Sequence, residues 1–500
     1  MELDPAVCYR AVLARDARYD GRFFTCVKTT GIYCRPICPA RPPKPGNCIF
    51  LPTAAAAQEA GFRPCLRCRP ESSPDLDAWR GTSATVSQAL KLIEGGTLDG
   101  DVVASLADRL EIGERQLRRL FRRHVGAAPV TVAQTRRVLL AKQLIHQTDL
   151  SMIEVALASG FGSVRRFNET FQQLYHRPPG ELRRRAVATT SLAPEISLLL
   201  PYRPPYDWAA MIRFLEARTI AGLEVITKDS YSRVIALGGV TGSIIVTHAP
   251  DQSALRVVVR FPRLSALSVI ITRIRRMFDL SAEPTSIASA LSSDPVLAPL
   301  VSARPGLRVP GGWDGFEIAV RAVLGQQITL KAATQLACRV VSTAGTPVTD
   351  SIGVQGLTHA FPRPERFNAE VLAGLGIPKA RAAALVGVAA AADADARLFD
   401  PRRDLDEAVA HLRNLPGVGE WTAQYIAMRA LGESDAFLAD DVVVQRKLAM
   451  NGRRPTASEL LARAQRWRPW RAYAVLHLWM ADETMPQVSL LKENYHALTA

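Results

Sequence analysis

The segment Asn414-Leu415-Pro416-Gly417-Val418-Gly419-Glu420-Trp421-Thr422-Ala423 decides how the C-terminal part of this chain is read. Its spacing predicts a helix, a tight Gly-rich turn and the start of a second helix. The first amides of that second helix have no intrahelical partner, so the turn offers N–H groups to an anion such as a DNA phosphate. About twenty residues later, Phe437-Leu438-Ala439-Asp440-Asp441-Val442 puts two carboxylates where a further helix begins. Capping that helix is a sufficient role for one acid; a catalytic carboxylate close to a phosphate-gripping turn is the alternative.

Outward from there, 500 residues are too many for one apolar core, so three or four domains are expected. The formal net charge of +15 favours an acidic polymer as partner, nucleic acid ahead of a membrane surface. Residues 1–190 carry about 28 Lys/Arg against 18 Asp/Glu, so most of the excess lies there. No run reaches the roughly 18 apolar residues of a membrane helix. Glu2 and Asp4 stand where a secretory signal would be basic, so a cytoplasmic protein is expected. Runs such as Ser243-Ile244-Ile245-Val246-Thr247 have the β-branched content of strands, and from about Leu264 the pattern is helical.

Seven of the eight cysteines precede Arg69, which in a reducing compartment points to metal or thiol chemistry. Cys34 and Cys38 are separated by three residues and Cys65 and Cys68 by two, and two such pairs suit tetrahedral zinc. Four thiolates leave the site doubly negative and one sulfur unusually nucleophilic; an inert structural staple is the plainer reading of the spacing. The flanking Thr29-Thr30-Gly31-Ile32-Tyr33-Cys34-Arg35-Pro36 and Ala60-Gly61-Phe62-Arg63-Pro64-Cys65-Leu66-Arg67-Cys68 closely resemble the Ada-type methylphosphotriester-repair domain. That resemblance covers about residues 5 to 75. It implies that Cys34 accepts a methyl group from a DNA phosphotriester while Cys34, Cys38, Cys65 and Cys68 hold one Zn2+. Methylation would remove one negative charge beside the backbone, so DNA affinity should rise. Arg35, Arg63 and Arg67 are placed to meet phosphates, although a solvated basic face would look the same. Cys8, Cys26 and Cys48 match no ligand position and are expected to be ordinary small residues.

Residues Val102 to Val125 read as a short helix with Leu106 and Leu110, a break at Gly113, and a second helix with Arg115, Arg118, Arg119, Arg122 and Arg123. The plan repeats from Met152 through Gly160-Phe161-Gly162 to a helix with Arg165, Arg166, Phe167, Asn168 and Phe171. A plain bundle with a charged face would share part of this pattern. With its ending Tyr175-His176-Arg177-Pro178-Pro179, the pair resembles the AraC-type regulator domain, whose two recognition helices enter successive major grooves. Arg115, Gln116, Arg118, Ser163, Arg165 and Asn168 are the candidate DNA contacts.

The Gly417 turn resembles the hairpin of the helix-hairpin-helix glycosylases, and the acid at its matching distance is Asp441. Further similarity to the AlkA-type 3-methyladenine glycosylase runs through Pro204-Pro205-Tyr206-Asp207-Trp208, Ala322-Val323-Leu324-Gly325-Gln326-Gln327 and Trp470-Arg471-Ala472-Tyr473, covering nearly all of residues 200–485. An alkylated purine is cationic and leaves readily, so the enzyme need only flip it out and stabilise an oxocarbenium-like sugar, which Asp441 would do directly or by orienting water. The resemblance places Trp421, Tyr425 and Trp479 around the base, where aromatic walls suit a flat cation, while core packing is the plainer role of such side chains. Gly417, Gly419 and Thr422 would grip DNA, and Gln327 aligns with the side chain that fills the gap left by the flipped base, where AlkA has leucine. Trp421 occupies the position of the Schiff-base lysine of lyase-type relatives, so strand cleavage is not expected. No four-cysteine set follows, which excludes an iron–sulfur cluster. An alkali cation on the hairpin carbonyls is a family feature without a sequence trace.

The expected architecture is therefore multidomain α+β. A zinc-bound α/β module (1–75) precedes an all-α tandem helix-turn-helix domain (82–186) and a linker (187–199). A small antiparallel-sheet α+β domain (200–300) and an all-α helix-hairpin-helix glycosylase domain (301–490) follow. Two functions fit it: a regulator joined to a base-excising enzyme, or a regulator whose glycosylase-like part is a silent DNA-binding scaffold. Partners are double-stranded, alkylated and promoter DNA, with RNA polymerase as a candidate and no membrane. No Pro-Cys-His-Arg segment is present, so direct repair of O6-methylguanine is not expected.

Overall fold

The N-terminal helix Pro5–Ala14 starts where Asp4 caps it, its carboxylate accepting from the Ala6 and Val7 amides. In this computed structural model, which describes residues 3–73, 84–100, 102–183, 195–348, 353–400, 402, 404–449 and 453–481, that helix packs on a four-stranded sheet. Its strands are β1 (Phe24–Val27), β2 (Ile32–Cys34), β3 (Cys48–Leu51) and β4 (Arg63–Pro64), ordered β3-β1-β2-β4. The β2–β4 pairing is parallel, and it brings Cys34, at the end of β2, beside Cys65, which follows β4. The sheet thus joins the two cysteine pairs that the sequence keeps apart.

Two helix pairs follow, as their spacing predicts: Val103–Arg109 with Glu114–His124, and Met152–Ala158 with Val164–Tyr175. Leu106, Leu117 and Phe121 are buried in the first pair, and Val155, Phe167 and Phe171 in the second, so the arginines between them face outward. One 19-residue helix, Pro129–Gln147, links the pairs.

The second sheet is antiparallel throughout, with β5 (Glu195–Pro201), β6 (Glu224–Ile226), β7 (Ser230–Leu237), β8 (Val240–Ala249) and β9 (Ala254–Arg260) in the order β5-β9-β8-β7-β6. Here the structure departs from expectation. The last five residues of the expected linker, 195–199, belong to β5, because Ile196, Leu198 and Leu200 alternate into the core. The rest of that linker, and the end of the last expected domain, lie outside the described residues.

The paired helices and the second sheet pack directly on each other. Val138, Leu144, Phe167 and Phe171 share one apolar core with Leu198, Val257 and Phe278. Edge strand β5 is covered by the linking helix: Gln143 Nε2 donates to the Leu199 carbonyl at 2.9 Å, and Gln147 Oε1 accepts from the Leu199 amide at 3.0 Å. The later helices, up to Arg471–Met480, build a mainly helical part around Trp467 and Tyr473; it is not all-α as expected, because Thr346–Pro347 pairs antiparallel with His359–Ala360. No described helix is long and apolar enough to cross a membrane.

Candidate methyl-acceptor site and base-excision pocket

The sulfurs of Cys34, Cys38, Cys65 and Cys68 all lie within 4.8 Å of one another, a set that fits one tetrahedral zinc ion. They are not equivalent. Cys68 Sγ accepts from the Arg35 amide and Cys65 Sγ from the Arg67 amide, both at 3.3 Å, and the Ala40 amide donates to Cys38. Cys34 and Cys38 are half-buried, whereas Cys65 and Cys68 are buried. An N–H···S bond draws charge from a thiolate, so Cys38, Cys65 and Cys68 each have a donor that stabilises their sulfur. Cys26, in contrast, is a packed thiol that burial pushes up to about 12.

Arg35 does not face outward as expected. Its guanidinium is held by the Asp20 carboxylate, with Nε 2.8 Å from Oδ1, and by the Cys68 carbonyl at 3.2 Å, which leaves the side chain 11% exposed. A guanidinium this close to a buried carboxylate satisfies its fork inside the protein rather than on a phosphate. Arg63 is half-buried and Arg67 exposed. Nothing in the spacing singles out Lys142, whose wholly buried ammonium donates to the Cys65 carbonyl at 2.8 Å and to Glu71 at 2.6 Å from the linking helix. The zinc module also meets the enzyme part, where Arg203 donates to the Asp20 carbonyl at 2.9 Å and pairs with Glu283.

On the helix pairs, Arg115, Gln116, Arg118, Arg165 and Asn168 are exposed. Arg118 pairs with Glu114 at 2.6 Å and Arg165 with Glu169 at 2.7 Å, exposed pairs that a phosphate can replace. Ser163 has a local role as the N-cap of Val164–Tyr175, its Oγ accepting from the Arg166 amide at 3.2 Å.

Asp441 proves to be both a cap and a pocket residue. Its Oδ1 accepts from the Val443 and Val444 amides at 3.0 Å and from Trp479 Nε1 at 3.1 Å, while Oδ2 accepts from Trp421 Nε1 at 3.1 Å. Four N–H groups fix the carboxylate at the wall of a cavity of about 400 Å³, whereas Asp440 is exposed. Trp421 and Tyr425 lie stacked with ring centres 5.2 Å apart at 15°, and Trp479 tilts against Tyr425 at 6.4 Å. All three wall the cavity. The far side is charged: Arg233 meets Glu317 at 2.6 Å and Arg321 meets Glu224 at 2.9 Å. Burial alone would raise the Glu317 carboxyl, but Arg233 and Arg321 outweigh it and hold it at about 2.

Two neighbours of this pocket come from the preceding domain and were missed. Phe214 stacks on Trp479 with centres 6.4 Å apart, and the Arg218 guanidinium sits 3.6 Å over the Phe214 ring. Phe214 lies on helix Trp208–Glu216 and Arg218 just past its end, and nothing local says what they meet.

In the hairpin, Gly417 has φ +73° and would drive a Cβ to 2.4 Å from Ala384 Cβ, so only glycine fits. Gly419 caps helix Glu420–Arg429 without a side-chain bond, leaving its first amides open. Thr422, expected to touch DNA, is buried instead. Its hydroxyl accepts from Gln326 Nε2 at 3.0 Å, because the third residue of the helix turns toward the core. Gln327 is exposed.

Three family models match the chain: the metal-binding domain of Ada over residues 7–71, a helix-turn-helix domain over 106–185 and the AlkA N-terminal domain over 197–314. A Mycobacterium tuberculosis protein named "Probable bifunctional transcriptional activator/DNA repair enzyme AlkA" is 42% identical over 484 residues, covering 95% of this chain and 96% of its own. The chain belongs to this Ada–AlkA fusion family. Its enzyme part is 34% identical over 292 residues to the Escherichia coli "DNA-3-methyladenine glycosylase 2", 57% of this chain and 98% of that protein. Its fold is shared with a 3-methyladenine DNA-glycosylase of Archaeoglobus fulgidus, at a TM-score of 0.51 and 22% identity over 58% of this chain and 99% of that one. The Ada–AlkA order therefore runs through the whole chain: zinc module, paired helix-turn-helix units, glycosylase fold.

Proposed function

We propose that this chain repairs alkylated DNA by two reactions and regulates transcription. In the first, the Cys34 thiolate attacks the methyl group of a DNA methylphosphotriester. An S–CH3 bond forms, the CH3–O bond breaks, and the phosphodiester leaves with the electron pair. Zinc, held by the four cysteines, supplies a stable thiolate at neutral pH. Arg67 and Arg63 offer cations to the backbone, and the lost charge strengthens DNA binding by the two outward helices, with Arg115, Gln116, Arg118, Arg165 and Asn168 as contacts. Promoter DNA and RNA polymerase are the partners of an activator built this way.

In the second reaction an alkylated base such as 3-methyladenine is flipped against Trp421, Tyr425 and Trp479. The bond from the base to C1′ breaks with its electrons on the base, and water adds to C1′. Asp441, held by two indoles and two amides, stabilises the developing cation or orients that water. The observation that carries this reading is the convergence of both indole N–H groups on one carboxylate in a cavity of base size. Trp421 in place of a lysine leaves no amine to form a Schiff base, so the product keeps an intact strand.

The test is release of free methylated purines from alkylated duplex DNA by the whole chain, with strand breaks scored in parallel. Release without breaks, lost in Asp441→Asn, supports the enzyme; no release from the wild-type chain supports the silent scaffold. For the first reaction, mass spectrometry after exposure to methylphosphotriester DNA should find the added methyl on Cys34.

A further inference from the structure

Two helices carry the aromatic wall of the pocket: Glu420–Arg429 with Trp421 and Tyr425, and Arg471–Met480 with Trp479. One loop fixes them against each other. Residues 430–435 leave the first helix, and the Glu433 amide turns back to the Ala427 carbonyl at 3.0 Å. The Ser434 carbonyl accepts from the Ala472 amide at 2.9 Å, and Asp435 Oδ1 accepts from Arg471 Nε at 2.8 Å, so the same loop seats the start of the second helix. Each helix sends one indole to Asp441, Trp421 to Oδ2 and Trp479 to Oδ1, so a shift of the loop reaches the carboxylate through both.

The regulator part grips this loop. Lys91, on helix Ala84–Glu94 of the first reading unit, donates from Nζ to Glu433 Oε1 at 2.7 Å and reaches the Leu431 carbonyl at 3.5 Å. At the end of the same helix the Glu94 carbonyl accepts from Thr272 Oγ1 at 2.9 Å. The apolar core of that unit runs from Val86 to Ala133 and includes no residue of the enzyme part. Beside the contact lies a cavity of about 620 Å³, walled by Phe24 and Ala55 of the zinc module, Leu90 and Arg136 of the regulator, and Thr272 and Gly432 of the enzyme. Polar bonds rather than packed side chains therefore carry this seam. The Lys91 and Glu433 side chains are 27% and 20% exposed, sheltered enough for their attraction to escape full screening.

We propose that Lys91 is a positioning residue for base excision, supplied to the pocket by the regulator part. The inference rests on the glycosylase reading above and extends it, because the wall of the pocket is then set from outside the glycosylase fold. Lys91 does not touch the base. Its ammonium holds Glu433 at the corner between the two wall helices, and that corner keeps both indoles on Asp441. A preorganised charge loses its effect when its support drifts, so removing the ammonium should slow the chemical step and leave the capture of DNA unchanged.

The experiment measures single-turnover release of 3-methyladenine from alkylated duplex DNA by the whole zinc-loaded chain at saturating protein. Wild type is compared with Lys91→Met, Glu433→Gln, the double variant and Lys91→Arg, with circular dichroism and Kd for intact duplex taken on the same preparations. Lys91→Met and Glu433→Gln should each slow release roughly twofold to fivefold, with the half-saturating protein concentration unchanged. The double variant should be no slower than the slower single one, and Lys91→Arg should keep most of the wild-type rate. Wild-type rates in both single variants, or a double variant in which the two effects multiply, overturns the proposal. Slowing in Lys91→Met but not in Glu433→Gln also overturns it, since the effect would then lie within the reading unit. Should Lys91→Met lose its fold, Glu433→Gln against wild type decides. No release from the wild-type chain would sink the glycosylase reading and this proposal with it, whereas release indifferent to both substitutions sinks this proposal alone.

Discussion

Lys142 Nζ lies 2.6 Å from Glu71 Oε2 with both side chains sealed from water, and the same ammonium holds the carbonyl of the zinc ligand Cys65. Burial pulls the lysine down and Glu71 opposes that fall. The helix that carries both reading units is thus fastened to the cysteine knuckle. Removing one partner of such a pair leaves a buried charge and costs about 3–5 kcal/mol. Lys142→Met should lower unfolding free energy by that amount in urea titrations at fixed zinc, and Lys142→Met with Glu71→Leu should recover much of it. Equal stability of Lys142→Met and wild type would show that the pair holds nothing.

Asp441→Asn separates the two jobs of that side chain. Asparagine keeps an oxygen for the Val443 and Val444 amides but turns its NH2 toward the Trp421 indole N–H, so stability should fall by about 1–3 kcal/mol. Base release should fall by roughly 100-fold or more, since the negative charge facing the sugar is gone. A larger loss of stability together with activity would mean that the carboxylate is chiefly structural.

Trp479→Phe keeps a flat ring in the pocket and deletes the indole N–H on Asp441 Oδ1. One hydrogen bond to a charged group is worth about 1.5–3 kcal/mol, so excision should slow by roughly tenfold or more, with the loss in kcat. An effect confined to KM would assign Trp479 to base binding alone.

His477, on helix Arg471–Met480, is nearly sealed from water, and burial, with Arg304 adding to it, presses its imidazole down to about 4. Between that value and the ordinary one near 6.5, the unfolded chain binds a proton that the folded chain refuses. Stability present above pH 6.5 is therefore lost as pH falls toward 4, by about 3 kcal/mol. Glu317, held at about 2, loses its contribution only below its ordinary 4.5. Urea midpoints from pH 7 to 4 should drop, and His477→Phe should flatten that limb.

Arg67 and Arg35 were equal candidates for the DNA backbone, and the structure sets them apart. Arg67→Ala should reduce the slope of log Kd against log salt by about one, as expected for one lost phosphate contact. Arg35→Ala should leave that slope unchanged and destabilise the zinc module, because its partners are Asp20 and the Cys68 carbonyl.

What the sequence made legible follows the range of the forces involved. The cysteine spacing, the Gly113 and Gly160 breaks and the Gly417 turn are local chemistry, and each stands where it was expected. Asp441 was harder: a cap and a pocket acid look alike in one dimension, and the residue is both. Arg35 and Thr422 were misjudged because an exposed and an inward arginine or threonine read identically, and only Asp20 and Gln326 decide between them. Phe214 and Lys142 were invisible because their partners, Trp479 and Glu71, lie far along the chain. Strand β5 was hidden in an expected linker, since short apolar alternation beside Ser and Pro carries little signal.

The glutamine cover over β5 also bears on how the chain is made. Gln143 and Gln147 leave the ribosome before β5 does, and β9, the strand that pairs with β5, is completed some sixty residues after it. During that interval an apolar strand with open backbone groups would invite pairing with another nascent chain. Helix Pro129–Gln147 precedes β5 in the chain and can satisfy the Leu199 amide and carbonyl before β9 exists.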